Sequence, residues 1–422
     1  MEIINRKKQL KAILAFINEC ELEIIQALKE DLGRPVFETS AIELGSLRYE
    51  ISHTLSKLSF WVNPRFVKTP LVCQPGKSWI EYKPLGTILN IAPWNYPFQL
   101  TLGPLSNMIA AGNYVVIKPS ELAPSSSRLL AHKLPGYLDV KIVEGGPEVT
   151  GSLLDKKWDH IFYTGGSRVA QIVLEKAAKY LTPVTLELGG KCPALVDRDA
   201  DIQIAARRIA WGKFINAGQT CVAPDYVLVH EDIKDRLIAE ISKVITHFFG
   251  NNPKRSPDYG RIINQAHMER LIKLCPNAHY DLEQRYFAPT LIEKLPEEEI
   301  FGPILPVISV KNLEEAVSFV NARPKPLALY YFSTDKINQK KVLASTHSGG
   351  VCINDTVSHL GNPNLPFGGV GESGYGAYHG RAGFERFSHM RSVYQRSDSL
   401  DIPLRYPPYS KTTLKIANWF QS

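Results

Sequence analysis

The sequence lacks closely spaced cysteines, which argues against a zinc-binding or disulfide-stapled fold. No C-x-x-C pair occurs, and no histidine cluster stands at metal-ligand spacing from a cysteine. We therefore expect no metal site and a reducing, cytoplasmic location. The cysteines are Cys20, Cys73, Cys192, Cys221, Cys275 and Cys352.

The sequence also lacks a concentrated tract of one charge. The 49 Lys and Arg residues exceed the 42 Asp and Glu residues by only +7, and the densest basic cluster lies between Arg6 and Lys11. A nucleic-acid-binding face requires a concentrated basic stripe. We therefore expect no nucleic-acid partner.

No hydrophobic run is suited to crossing a membrane. The segment between Lys83 and Lys118 carries no charge, but it contains four prolines. A membrane helix needs about 20 consecutive apolar residues, and an internal proline breaks or kinks a helix. We therefore interpret this segment as buried protein interior and expect no integral membrane segment.

What the sequence does contain is an alternation of strand and helix patterns. A chain of 422 residues corresponds to about three domains of ~150 residues. Helical spacing dominates from Lys7 to Leu28 and from Glu38 to Trp61, and Pro70–Pro84 has the pattern of an exposed hairpin arm. Alternating short apolar runs and helices then predict an α/β protein with a parallel sheet covered on both faces. The predicted strands are Thr87–Ala92, Tyr114–Ile117, His160–Tyr163, Val184–Leu188 and Tyr226–His230.

Cys221 stands in a glycine-containing loop, Asn216–Pro224, between a predicted helix and a predicted strand. Such a loop can present a reactive thiolate. A lone cysteine is more often a small buried hydrophobic residue. The loop alone leaves both interpretations open.

Glu187 ends an otherwise apolar strand and is followed by Gly189 and Gly190. A carboxylate there is costly to bury without a partner or a raised pKa. Ligands of open α/β sheets bind beyond the carboxyl ends of the strands, where Glu187 is expected. By itself the motif favours the alternative, a carboxylate that caps the next helix.

Asn95 is an uncharged donor between Pro93 and Pro97, although Asn and Pro are also common turn residues.

The segment Gly165–Ser167 joins a strand to a helix start and could hold a diphosphate against helix N-terminal amides. A formal G-x-G-x-x-G at Gly369–Gly374 follows a loop instead of a strand, so we interpret it as a closing loop.

Taken together, these segments resemble the aldehyde dehydrogenase superfamily, and the resemblance covers nearly the whole chain. Ala223–Tyr226, Leu365–Ser373 and Arg405–Tyr409 resemble its class 3 and fatty-aldehyde dehydrogenase branch. The segments that recur there in the same order are Ile91–Phe98, Ile117–Glu121, Leu186–Lys191, Asn216–Pro224 and Glu298–Pro303.

The resemblance implies a Rossmann-like parallel-sheet cofactor domain, an α/β catalytic domain and a small β oligomerisation arm. The NAD-binding domain would comprise residues 1–68 and 85–188, and the catalytic domain residues 189–385. Residues 69–84 and 386–422 would form the bridging arm of a homodimer.

The implied activity is the NAD(P)-dependent oxidation of medium- or long-chain aliphatic or aromatic aldehydes to carboxylic acids. Cys221 would be the nucleophile that forms a thiohemiacetal and then a thioester. Asn95 and the backbone N–H of Cys221 would form the oxyanion hole, and Glu187 would be the general base. The alternatives are a CoA-acylating relative and a catalytically silent nucleotide-binding relative.

The resemblance also implies contacts to NAD. Lys118 and Glu121 would lie near the adenosine ribose, and a carboxylate at Glu121 favours NAD over NADP, which the class 3 branch also accepts. Glycine commonly replaces Ala170 in the family, so diphosphate packing is expected to differ here. The implied cofactor-binding residues are Trp94, Lys118, Glu121, Gly165, Gly166, Ser167, Gly189, Glu299 and Phe301.

Overall fold

The computed structural model describes residues 1–401 and 405–421, so residues 402–404 and 422 of the expected arm lie outside it. The α-helices of the described residues are α1 Ile3–Glu19, α2 Glu21–Leu32, α3 Gly45–Trp61, α4 Gln99–Ala111, α5 Pro124–Lys133, α6 Pro147–Leu154 and α7 Ser167–Ala178. They continue with α8 Ile202–Phe214, α9 Lys234–Phe249, α10 Gln265–Leu274, α11 Leu313–Asn321, α12 Lys336–Ser345, α13 Gly380–Arg386 and α14 Lys411–Gln421.

The strands divide among two large sheets, a small sheet and a short hairpin. The first are β1 Arg65–Val67, β2 Gly76–Pro84, β3 Thr87–Ile91, β4 Tyr114–Lys118, β5 Lys141–Ile142, β6 His160–Thr164, β7 Val184–Glu187 and β8 Pro193–Val196. The others are β9 Tyr226–His230, β10 Tyr280–Asp281, β11 Tyr286–Phe287, β12 Thr290–Ile292, β13 Ile304–Val310, β14 Ala328–Phe332, β15 Gly350–Ile353, β16 Gly374–Tyr375 and β17 Ser388–Arg396.

The first large sheet has the order β16-β7-β6-β3-β4-β5. Its strands are parallel except β16, which pairs antiparallel with β7. Every residue of β6 and of β7 is buried, as expected for a parallel sheet covered on both faces. The strands predicted between Thr87 and Leu188 are confirmed, with ends that differ by one residue.

The second large sheet has the order β12-β13-β9-β8-β14-β15, and all of its pairings are parallel. Its central strands β8, β9 and β14 are almost wholly buried. The predicted fold class, α/β with a Rossmann-like parallel sheet, is confirmed. The domain boundaries given above remain predictions.

The small sheet has the order β1-β2-β17. The expected hairpin at Pro70–Pro84 begins earlier, because its first strand is Arg65–Val67. Strand β17 then pairs with β2 from Ser388 opposite Pro84 to Arg396 opposite Gly76. This ladder ties a late segment of the chain to the early arm.

The N-terminal helical runs are subdivided. The run Lys7–Leu28 breaks at Cys20 between α1 and α2, and Gly33 ends α2 in a left-handed conformation at φ +57°. The second run opens with a π-helix, Glu38–Leu44, before α3. Within the described residues, no helix is both long and apolar enough to cross a membrane.

Gly374 of β16 lies opposite Glu187 of β7 and has φ +124°. This conformation is open essentially only to glycine, and a Cβ there would lie 2.1 Å from the carbonyl oxygen of Leu186. We expect Gly374→Ala to lower the free energy of unfolding by about 1–3 kcal/mol, measured by urea denaturation.

Gly361→Ala is the matched control, since a Cβ on Gly361 would meet nothing within 4 Å. We expect it to change stability by no more than about 0.5 kcal/mol. A Gly374→Ala variant as stable as this control would contradict the pairing of β16 with β7.

Candidate active site

Segments that the sequence singled out follow the carboxyl ends of parallel strands in the first sheet. The Asn95 loop follows β3, Lys118 ends β4, Gly165 follows β6, and Glu187 ends β7. Because parallel strands run in one direction, these segments meet at one edge of the sheet, where ligands of such sheets bind.

The Cys221 loop joins α8 to β9 of the second sheet, and its backbone conformation is unusual. Asn216 and Ala217 have positive φ angles of 50° each, so the chain turns sharply after α8. The Gln219 side chain fixes the turn by donating to the carbonyls of Asn216 at 3.0 Å and Arg261 at 2.9 Å. The loop therefore presents Cys221 from a rigid turn.

The Cys221 thiol lies in a site that disfavours negative charge. Burial, followed by the charges of Glu299 and Glu187, raises the pKa of this thiol to about 12. The backbone N–H groups of Cys221 and Val222 act in the opposite direction. The thiol therefore lies within electrostatic reach of both carboxyl groups.

Glu187 is 2% exposed, and neither of its carboxyl oxygens has a hydrogen-bond partner among the described residues. Burial raises the pKa of this carboxyl well above its ordinary value, opposed by the positive charge of Arg386. A buried carboxyl without partners is costly unless a ligand or a reaction uses it. The helix cap that the motif alone favoured is not observed, because Glu187 caps nothing here.

The side chain of Asn95 is in contact with the Cys221 loop. Its Nδ2 donates to the carbonyl of Gln219 at 3.1 Å. The backbone carbonyl of Asn95 accepts hydrogen bonds from Asn216 Nδ2 at 3.0 Å and from the Arg34 guanidinium. Asn95 is thus tied to the loop at two points, one of them two residues before Cys221.

The turn after β6 leaves the start of α7 open. Gly166 has an extended backbone at the N-cap, and a Cβ added there would meet nothing within 4 Å. Ser167 is exposed, and Tyr163 donates to the carbonyl of Gly166 at 3.1 Å. This open helix N-terminus fits a diphosphate.

Lys118 and Glu121 form an ion pair at the end of β4. The Lys118 ammonium donates to Glu121 at 2.9 Å and to the Pro119 carbonyl at 2.6 Å. Lys118 is buried, whereas the Glu121 side chain is 39% exposed. The carboxylate can therefore reach a ribose hydroxyl from the protein surface.

Glu299 lies against the backbone of the Gly189–Gly190 turn. A Cβ on Gly189 would lie 2.2 Å from a carboxyl oxygen of Glu299. Burial and the charge of Asp225 raise the pKa of Glu299 to about 8, and the Gly190 N–H opposes this shift. A side chain at position 189 would displace the Glu299 carboxyl from this place.

Two aromatic rings from distant segments meet beside this turn. The Trp94 ring contacts the Phe301 ring edge to face, with centroids 5.4 Å apart, and His267 at 5.0 Å. Phe301 has φ +42°. Arg270 donates to the carbonyls of Glu299 at 3.1 Å and Ile300 at 2.6 Å, which holds the segment in place.

The sequence reasoning missed several residues that shape the site. Asp225 appeared only within a family phrase, but its carboxylate pairs with Lys191 at 2.6 Å and accepts from the Ile300 N–H at 2.8 Å. Arg34 and His267 gave no signal, because their partners lie far away in the sequence.

Known proteins resemble this chain over nearly its whole length. Residues 1–393 match the aldehyde dehydrogenase family. The chain is 44% identical to a 4,4'-diaponeurosporen-aldehyde dehydrogenase of Staphylococcus aureus, over 100% of the chain and 95% of the relative. It is 45% identical to aldehyde dehydrogenase family 3 member B1 of Rattus norvegicus, over 97% of the chain and 92% of the relative.

A solved structure of Staphylococcus aureus AldH in a substrate-bound state superposes with a TM-score of 0.97 at 44% identity. The alignment covers 100% of this chain and 95% of that one. The resemblance to the class 3 branch is thereby confirmed. The chain belongs to the aldehyde dehydrogenase family, whose NAD(P)-dependent enzymes oxidise aldehydes to carboxylic acids.

Proposed function

We propose that Cys221 carries the covalent chemistry. The thiol gives its proton to water and the sulfur adds to the aldehyde carbon, which breaks the carbonyl π bond and forms a thiohemiacetal alkoxide. Bound NAD(P)+ would supply the acceptor for the hydride that leaves the former aldehyde carbon, so that Cys221 would carry a thioester. Water then cleaves the thioester, releasing the carboxylic acid and restoring the thiol.

Glu187 is the proposed base for the hydrolysis step. The observation that carries this assignment is its buried carboxyl, which has no partner among the described residues and lies within electrostatic reach of Cys221. A base of raised pKa accepts a proton from water more readily than an ordinary carboxylate. The presence of this base favours hydrolysis over the CoA-acylating alternative.

Asn95 and the backbone N–H of Cys221 are the proposed donors to the oxyanion. An amide nitrogen carries two hydrogens, and the Gln219 carbonyl uses one of those on Asn95. The other remains for an oxygen bound at Cys221. Preorganised donors of this kind stabilise charge that develops in the transition state.

The proposed cofactor site extends from the open helix N-terminus to the Trp94 and Phe301 pair. Gly165, Gly166 and Ser167 would hold the diphosphate, while Lys118 and Glu121 would bind the adenosine ribose. Glu299 would bind the nicotinamide ribose beside Gly189. The exposed Glu121 carboxylate would repel a 2′-phosphate, which favours NAD over NADP.

We further propose a cytoplasmic homodimer. The arm carries exposed apolar side chains that a second copy would cover, since apolar patches of this kind mark interaction surfaces. Free cysteines throughout the described chain suit a reducing compartment. The exposed arm residues are Phe66, Leu71, Val72, Met390 and Tyr394.

Cys221→Ser is expected to abolish aldehyde oxidation while NAD binding is retained, because an alcohol of high pKa replaces the attacking sulfur. Activity assays and calorimetric titration with NAD measure the two effects. Cys73→Ser, in the remote arm, is the matched control and should keep full activity. Turnover by Cys221→Ser would overturn the nucleophile assignment.

Glu187→Gln is expected to slow hydrolysis by about 10²–10⁴-fold, so that the acyl-enzyme accumulates and becomes visible by mass spectrometry. In the unsubstituted enzyme, deacylation should accelerate as pH rises, because the raised pKa keeps Glu187 protonated at low pH. This pH dependence should vanish in the variant.

Stability provides an independent check on the same variant. The folded carboxyl holds its proton to higher pH than the unfolded one, so the unsubstituted enzyme loses stability as pH rises above the ordinary range of Glu. Glu187→Gln removes this loss.

Absence of a covalent adduct in a folded variant would show that Glu187 is not the base.

We propose medium- or long-chain aliphatic or aromatic aldehydes as substrates, supported by the similarity to a relative named 4,4'-diaponeurosporen-aldehyde dehydrogenase. A panel from acetaldehyde to decanal and benzaldehyde, with NAD and NADP in parallel, tests this proposal. Because each buried methylene contributes about 0.8 kcal/mol, burial of only about two of the additional methylenes of decanal should raise kcat/KM at least about 10-fold above that for acetaldehyde. Preference for acetaldehyde would contradict the proposed class.

A further inference from the structure

We propose that Arg34 is a positioning residue that fixes the Asn95 loop against the Cys221 loop. The inference rests on the proposed roles of Asn95 and Cys221. It assigns a function to Arg34, which lies two residues beyond the end of α2 and which no motif in the sequence singled out. Arg34 itself would touch neither substrate nor cofactor.

The guanidinium group of Arg34 reaches both loops at once. It donates to the backbone carbonyl of Asn95, and its Nε donates to Asn216 Oδ1 at 3.3 Å. Asn216 belongs to the turn that presents Cys221 and also donates to the Asn95 carbonyl. One planar cation therefore joins the oxyanion donor to the nucleophile turn.

Glu43 extends the same arrangement to the far end of the Asn95 loop. It pairs with Arg34 through one carboxylate oxygen. The other oxygen accepts the backbone N–H of Phe98 at 2.9 Å and of Gln99 at 3.0 Å. Since α4 begins at Gln99, the ion pair holds the loop on both sides of Asn95.

Tyr96 provides a second connection between the loops. The Arg34 guanidinium lies 4.4 Å from the centroid of the Tyr96 ring. The Tyr96 hydroxyl is hydrogen-bonded to Thr220 Oγ1 at 3.0 Å, one residue before Cys221. The Arg34 guanidinium thus packs against the Tyr96 ring, whose hydroxyl forms the hydrogen bond to Thr220.

The burial of this pair suggests a role beyond stability. Arg34 is 2% exposed and Glu43 is wholly buried, so both charges have lost their hydration. Apolar residues of similar volume often stabilise a fold as well as a buried ion pair does. What an apolar pair cannot supply is several donors in a fixed fork, which arginine has and lysine lacks.

The test is a double-mutant cycle between Arg34→Met and Asn95→Ala. If Arg34 acts by positioning Asn95, Arg34→Met alone should lower kcat by about 10- to 100-fold. The KM and the dissociation constant for NAD should stay unchanged. In the Asn95→Ala background, Arg34→Met should lower kcat by a clearly smaller factor than in the unsubstituted enzyme, because one of the groups that Arg34 positions, the Asn95 amide, is already gone.

Arg34→Lys and Arg6→Met complete the design. Lysine keeps the charge without the fork, so its kcat should lie between those of the unsubstituted enzyme and Arg34→Met. Arg6 joins α1 to the Ala110 carbonyl and contacts neither loop, so Arg6→Met should keep full kcat. Urea denaturation of each variant measures any loss of stability.

Each outcome discriminates between the assignments. An unchanged kcat in Asn95→Ala would overturn the proposed oxyanion role itself. A reduced kcat in Asn95→Ala together with a full kcat in Arg34→Met would overturn the positioning role alone. Independent, multiplying losses in the double variant, or a loss in Arg6→Met equal to that in Arg34→Met, would also overturn it.

Discussion

The dehydrated surroundings of Cys221 impose the constraint on which the rest of the site depends. Burial and the negative charges of Glu299 and Glu187 all raise the pKa of the Cys221 thiol, and burial is the largest cause of the raised pKa of each of the two carboxyl groups. The thiolate of Cys221 therefore forms less readily when these carboxyl groups are ionised.

Positive charge is held near this site without neutralising it. Arg386 donates to the Thr185 hydroxyl at 2.7 Å and to the Val184 carbonyl at 2.8 Å, which anchors it along β7 short of Glu187. Lys191 is paired with Asp225. Lys213 is fully buried, and burial lowers the pKa of its ammonium to about 8. The positive charge of Arg386 partly offsets the effect of burial on the pKa of Glu187. No cation among the described residues forms a hydrogen bond with the Glu187 carboxyl, which therefore stays available for reaction.

The sequence predicted those parts of the molecule that local chemistry determines. The buried strands β3, β4, β6, β7 and β9 followed from apolar runs, and Cys221, Glu187 and Asn95 stood out because each follows or ends a strand or helix. The resemblance to a family then gave each of them a role that the motif alone left open. For Glu187, the local pattern by itself favoured a helix cap.

The remaining features depend on contacts between residues distant in the sequence. The pairing of Gly374 with Glu187 and of β17 with β2 leaves no periodic signal in either segment. Arg34 meets a carbonyl on the Asn95 loop, and nothing near Arg34 indicates this partner. The hairpin of the arm begins at Arg65, because Arg65 pairs with Ile80 of β2. The prolines at 70 and 84 give no indication of this pairing.

The most direct test of the effect of Glu187 and Glu299 on Cys221 is the alkylation rate of this thiol as a function of pH, followed by peptide mass mapping. The thiolate is the reacting form, so the rate reports the pKa of the thiol. Between about pH 7 and 10, the rate should keep rising without a plateau in the unsubstituted enzyme, and Glu187→Gln should shift the profile to lower pH. A plateau near the ordinary pKa of cysteine, or a profile that Glu187→Gln leaves unmoved, would contradict the claim that Cys221 lies within electrostatic reach of these carboxyl groups.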